Sequence, residues 1–268
     1  MRLLLALSLL AGVAHAGEPP MTIRRLSEAD FKALHALTGE AAPTPRGQMI
    51  DLGGGQAYLS LPPGATAPVP GVVVIHEWWG LNDHIKHWAD RLADDGYAAL
   101  AVDLYGGAVA KTPDEAMAAM KAVDTAKASE LLKKAVAFLG ADPRVQAKKR
   151  AVMGWCFGGA WSLQTGLMAG ADLAAVVMYY GRVEADAAKL AGLQAPLLGV
   201  FANQDAHITP DAVTAFEAAL KAAGKDATIL RYDADHAFAN PSSARYDEAD
   251  ATAAWEKVRA FLAAKLKG

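Results

Sequence analysis

The chain has 268 residues, of which 53% are hydrophobic and 21% charged, and its formal net charge is −3. That much apolar material excludes a disordered chain, and without a basic surplus there is nothing to neutralise the phosphates of a nucleic-acid partner. The single cysteine, Cys156, excludes an internal disulfide and a cysteine-based zinc site.

Residues 1–16 read as a secretory signal peptide. Arg2 precedes an apolar run over 3–13 that is too short to span a bilayer, and Ala14-His15-Ala16 is a small-x-small cleavage signal before Gly17. The expected product is exported, to a periplasm or out of the cell, with no membrane attachment once the leader is removed. Residues 17–46 form an extension in which Ser27-Glu28-Ala29-Asp30 opens a short helix through about residue 37. A single domain is expected from 47 to 268. Strand-like runs at 48–52 and 56–61 flank Gly53-Gly54-Gly55, as in a hairpin. The β-branched run at 71–75 has the character of a strand covered on both faces. Helical spacing follows at 84–94, then a strand at 98–102, helices at 113–120 and 124–139, and a short strand at 150–153. A helix at 158–168 comes next, then strands at 173–180 and 197–202, a helix at 210–223, a strand at 227–232 and a last helix at 246–266. This alternation predicts an α/β fold with a mostly parallel sheet and helices on both faces.

Cys156 lies in Gly154-Trp155-Cys156-Phe157-Gly158-Gly159, between a strand-like and a helical run. This is a G-x-nucleophile-x-G elbow with cysteine as the nucleophile. The sharp strand-to-helix turn leaves no room for side chains at 154 and 158, which accounts for both glycines. It also sets Cys156 at a helix N-terminus, where the dipole favours negative charge on sulfur. A buried structural cysteine is the alternative.

A thiol nucleophile needs a base, and the base needs an orienting acid. In elbow-bearing hydrolases the chain order is nucleophile, acid, histidine. Only His207 and His236 lie downstream of Cys156. His236 sits in a loop before the last helix and is the expected base. Asp205, at the end of the 197–202 strand, is the natural acid, with Asp233 next in line; Asp235 is too close in sequence to pair well. His207 is expected in the pocket. The other chemistry-bearing segment is His76-Glu77-Trp78-Trp79-Gly80, at the end of the 71–75 strand. Its loop would supply one oxyanion-hole N–H, from Trp78, to pair with that of Phe157. Glu77 would then reach the thiol. Trp79, Tyr105, Trp155 and Phe238, with Met117 and Met120 nearby, are expected to form an apolar substrate wall.

The chain resembles the dienelactone hydrolases, a cysteine-dependent branch of the α/β-hydrolase fold. The resemblance runs from about residue 47 to the C-terminus. It is carried by His-Glu-Trp-Trp-Gly at 76–80, Gly-Tyr-Ala-Ala-Leu-Ala-Val-Asp-Leu-Tyr at 96–105, Gly-Trp-Cys-Phe-Gly-Gly at 154–159, Met-Tyr-Tyr-Gly at 178–181, Asn-Gln-Asp at 203–205 and Asp-His-Ala-Phe at 235–238. It implies a Cys156-His236-Asp205 triad, a Glu77 that contacts the resting thiol and moves when substrate binds, and an acyl-enzyme released by water. Family members that cleave dienelactone hold its carboxylate with arginines. This chain has Gly106-Gly107 and Asn240-Pro241 where those are expected, so a neutral or apolar ester or lactone is the expected substrate.

No cofactor is expected. His76, His84 and His87 lack an HExxH pattern, and no GxGxxG or Walker loop is present. The protein is expected to act as a monomer on a small molecule. Two other readings are a degenerate hydrolase serving as a periplasmic small-molecule binding protein, and a redox role for the thiol, which would need a resolving thiol from another protein.

Overall fold

A computed structural model describes residues 42–268. The expected signal peptide at 1–16 and the helix at 27–37 lie outside the described residues.

Eight strands form one sheet: β1 (Gln48–Asp51), β2 (Gln56–Ser60), β3 (Gly71–Ile75), β4 (Ala98–Val102), β5 (Arg150–Trp155), β6 (Ala175–Tyr179), β7 (Leu197–Ala202) and β8 (Ala227–Tyr232). Their spatial order is β1-β2-β4-β3-β5-β6-β7-β8. β1 pairs antiparallel with β2, and β2 antiparallel with β4. All remaining pairings are parallel. The helices are α1 (Asp83–Asp94), α2 (Pro113–Ala122), α3 (Thr125–Ala141), α4 (Phe157–Ala169), α5 (Ala187–Leu190), α6 (Pro210–Ala222) and α7 (Glu248–Leu266).

The central strands are buried on both faces, and the period-two alternation divides their side chains between two cores. Val73, Ile75, Leu100 and Val152 meet α3, α4 and α6 on one face. Val72, Val74, Ala101, Met153 and Trp155 meet α1 and α7 on the other. Helix starts follow capping chemistry: Asn82, Thr112, Asp124, Thr209 and Asp247 each accept a first-turn N–H through the side chain. α4 is the exception. Its cap is Cys156, which makes no side-chain capping bond. The position that would ordinarily hold a Ser, Thr or Asp is given instead to a thiol at the sheet's carboxyl edge, where open α/β sheets bind ligands.

The expected elements are all present within the described residues, with ends shifted by a few residues, and the sequence reading missed only short pieces. α5 spans four residues and the 3₁₀ turn Gly170–Asp172 three. Neither is long enough to show a helical period.

Candidate active site

The elbow is built by backbone crowding. Cys156 has φ 53° and ψ −113°, a conformation that L residues rarely adopt. A Cβ at Gly158 would come within 2.2 Å of the Ile75 carbonyl oxygen, and one at Gly154 within 2.5 Å of the Gly158 oxygen. Both neighbours are backbone and cannot move aside. β3, β5 and the head of α4 therefore approach more closely than any side chain permits. Cys156 is held there by its own N–H donating to the Tyr179 carbonyl at 3.0 Å and its carbonyl accepting from Ala160 at 3.1 Å.

His236 and Asp205 reach the same edge from the loops after β8 and β7. His236 Nδ1 lies 2.6 Å from Asp205 Oδ2, and both side chains are fully buried. The other carboxylate oxygen, Oδ1, accepts the backbone N–H groups of His207 at 2.7 Å and Ile208 at 2.8 Å. An ionised carboxylate only accepts, so Nδ1 carries the ring proton and Nε2 is the basic nitrogen. Burial pulls the Asp205 carboxyl up, but His236 and the three hydrogen bonds win and hold it below its ordinary value. Burial likewise lowers His236. Attraction to Asp205 and Cys156 and hydrogen bonds to both overcome this and raise it well above the usual histidine range. Thiol, imidazole and carboxylate thus form one connected chain. The two other acids considered are engaged elsewhere: Asp233 is exposed and accepts from Gln204, and Asp235 pairs with Arg245 at 2.7 Å.

Glu77 is buried just beyond β3. Its carboxylate takes a hydrogen bond from the Asn240 amide at Oε2 and one from the Tyr180 hydroxyl at Oε1, the latter 3.4 Å long. Burial dominates and pushes its pKa from 4.5 to about 7, although His236, Asn240 and Tyr180 all pull it down. Tyr180, which donates to Glu77, also lines the cavity that opens at Cys156. The sequence reading treated Asn240 only as a lost arginine, whereas here its amide holds Glu77.

The raised pKa has a measurable consequence. Between pH 4.5 and about 7 the folded chain keeps a proton on Glu77 that the unfolded chain has released. Stability therefore falls as pH rises through that window, by about 3 kcal/mol in all. Glu77→Gln removes this dependence. The variant is expected to match wild type near pH 4 and to be more stable by a few kcal/mol at pH 8, in urea unfolding across that range. Parallel stability curves would contradict the assignment.

His76 organises the loop. Its Nδ1 donates to the Glu77 carbonyl and its Nε2 accepts from the Leu104 N–H at 3.1 Å, joining the ends of β3 and β4. Burial lowers its pKa to about 4, so it stays neutral. Phe157 opens α4, and its N–H is among the first-turn donors that have no acceptor within the helix. Trp78 is fully buried and stands with Trp79, Ala110, Ala116 and Met117 in a small cluster beneath α2.

A cavity of about 730 Å³ opens at Cys156. Its apolar wall includes Met117, Met120, Trp161, Val183 and Ile208, and His207 and Tyr180 also face it. His207 is thus placed where the sequence reading put it. Trp79, Tyr105, Trp155 and Phe238 are placed elsewhere. Trp155 points through the sheet to Trp88, 5.0 Å between ring centres. Phe238 packs between Tyr180 and Tyr232. Trp79 lies against Trp78 at 5.1 Å. Tyr105 packs on His76 and Phe157 behind the cavity wall. Met117 and Met120 of α2 line the cavity as expected; its other walls come from the start of α3, from α4 and from the crossovers after β6 and β7, which no local pattern brings together. Among the described residues no cluster of three or more potential metal ligands occurs, and no helix is long and apolar enough to cross a membrane.

The profile of the Dienelactone hydrolase family matches residues 56–266. Among curated relatives, "Protein usf" of Aquifex pyrophilus is 32% identical over 72% of this chain and 87% of its own. A Saccharolobus solfataricus protein named "Putative carboxymethylenebutenolidase" is 30% identical over 77% of this chain and 93% of its own. Among solved structures, a dienelactone hydrolase-like promiscuous phosphotriesterase from metagenomic libraries superposes with a TM-score of 0.71 at 29% identity, covering 84% of this chain and 99% of that one.

Proposed function

The chain belongs to the dienelactone hydrolase family, and from that premise we propose that it hydrolyses a carboxylic ester or lactone through a Cys156-His236-Asp205 triad and an acyl-enzyme. The observation that carries this reading is the 2.6 Å contact of His236 Nδ1 with Asp205 Oδ2, in a histidine that also hydrogen-bonds Cys156. In the first half-reaction the Cys156 thiol gives its proton to His236, the sulfur bonds to the carbonyl carbon, and the ester C–O bond breaks as the alcohol leaves with that proton. In the second, His236 takes a proton from water as the water oxygen bonds to the thioester carbonyl carbon, and the C–S bond breaks to free the acid and return the thiol with the proton from His236. The N–H groups of Trp78 and Phe157 are the proposed donors to the tetrahedral oxygen. The substrate is a neutral or apolar molecule: Met117, Met120, Phe157, Trp161, Val183 and Ile208 line the cavity, the charges of Lys121 and Arg182 there are accompanied by Glu184, and the Asn240 amide is already engaged by Glu77. Export of the mature chain after Ala16 is part of the same proposal.

The test is a screen of neutral and anionic esters and lactones with and without iodoacetamide. Turnover is expected on neutral substrates, undiminished by chelator and stopped by alkylation. Tight ligand binding with no turnover on any of them would favour a binding protein. Preference for anionic substrates would overturn the assignment of polarity.

A further inference from the structure

Cys156 stands between two arms of the cavity, and the strand order tells which elements build each. The nucleophile ends β5, with β6 and β7 on one side of it and β3 and β4 on the other. The segments after β6 and β7 bring Val183, His207 and Ile208 to the cavity, and the segment after β4 brings Met117 and Met120 of α2. The two halves of an ester divide between these arms. The leaving alcohol takes its proton from His236, which follows β8 and whose ring centre is 6.1 Å from that of His207. The alcohol therefore lies over His207 and Ile208, and the acyl group points the other way, toward α2.

The acyl arm has a definite length. Phe157, Ala160, Trp161 and Gln164 all line the cavity. Spaced three and four apart, they form one stripe along α4. Phe157 to Trp161 covers about 6 Å of the helix axis, and Gln164 stands about 10 Å out. The near part is apolar. Trp161 stands edge-on to Phe157 at 6.2 Å between ring centres, and Phe157 and Met120 abut the same buried cluster around Trp78 and Trp79. The far part is polar: Gln164, Lys121 and Thr125 line the cavity there and are exposed. The arm is thus an apolar trough that starts at the sulfur and opens to solvent past Trp161.

We propose that this trough is the acyl site, that it selects linear aliphatic acyl groups up to the length of a hexanoyl chain, and that Met120 and Trp161 set the selectivity. This rests on the acyl-enzyme reading above and names its substrate class, the esters of medium-chain aliphatic acids. Methylenes drawn along Phe157, Met120 and Trp161 leave water, and each strengthens binding of the transition state. Methylenes beyond Trp161 return to water and add nothing. Methionine suits such a wall, because its unbranched, polarisable side chain follows a flexible ligand.

The p-nitrophenyl esters of acetate, butyrate, hexanoate and octanoate share one leaving group, so kcat/KM along the series reads the acyl arm. At about threefold per buried methylene, the rise from acetate to hexanoate is expected to be about 80-fold, with octanoate within about threefold of hexanoate. Met120→Gln keeps the length of the side chain and sets an amide in the trough. It is expected to lower kcat/KM on hexanoate about tenfold or more and to leave acetate within about twofold, and Trp161→Ala should flatten the series in the same way. Acetate is the internal control, because a misfolded variant would lose it too. On ethyl, butyl and hexyl acetate, which vary the alcohol, Met120→Gln should follow wild type. A wild-type rise below about tenfold from acetate to hexanoate overturns the proposal, as does a further gain of about tenfold at octanoate. A Met120→Gln loss confined to the alcohol series would overturn the assignment of the arms. Failure of the underlying reading is distinguishable, because turnover of the whole series would then survive iodoacetamide.

Discussion

Cys156→Ala is expected to abolish ester turnover, with initial rates on p-nitrophenyl acetate falling by at least about 10⁴-fold. The expectation rests on position rather than on residue type. The chain has no second thiol. The elbow holds residue 156 at a strained backbone angle at the head of α4, in contact with the large cavity. Alanine keeps the turn but removes the atom that forms the acyl bond. Cys156→Ser is the sharper comparison. A hydroxyl must surrender its proton to His236 as it attacks, and the pair formed by a raised histidine and a sulfur is tuned to a more acidic group. The serine variant is therefore expected to fold normally and to work far more slowly. A serine variant as fast as wild type would show that the site does not depend on thiol chemistry.

The placement of Cys156, His236 and Asp205 at one sheet edge was legible because it rests on local rules. Gly154 and Gly158 flank the one cysteine since backbone crowding tolerates nothing larger, and that constraint is visible as a motif. Asp205 and His236 stand just past strands whose ends the apolar runs mark, so their arrival at one edge follows from a parallel sheet. Apart from Met117, Met120 and His207, the walls of the cavity were not legible, for the opposite reason. Trp155 adjoins Cys156 in sequence, yet its ring packs on Trp88 in the core under α1 and α7 and does not line the cavity. Adjacency to the nucleophile does not tell which side chains reach the substrate. Val183 and Ile208 sit in crossover segments without period, and only the finished fold brings them to the sulfur. Asn240 shows a further limit. Its sequence context marks it as a missing cation, whereas its contact with Glu77, across 163 positions of chain, is a tertiary fact.

His236→Ala is expected to lower kcat/KM by about 10³-fold or more, and Asp205→Asn should come close to it. The reason lies in how Asp205 is shared. Oδ1 accepts two backbone N–H groups, from His207 and Ile208, while Oδ2 accepts from His236 Nδ1. An asparagine must place its carbonyl oxygen on the two N–H donors, because its amide cannot accept. Its NH₂ then faces Nδ1, and the imidazole must move its proton to Nε2 to accept from it. That tautomer cannot take a proton on the side that faces Cys156. The same substitution also removes the charge that contributes most to raising His236. Steady-state rates of both variants on one ester, with circular dichroism to confirm the fold, decide the matter. If Asp205→Asn kept near wild-type activity, the imidazole would not need this tautomer, and the carboxylate would serve only to tie the loop after β7.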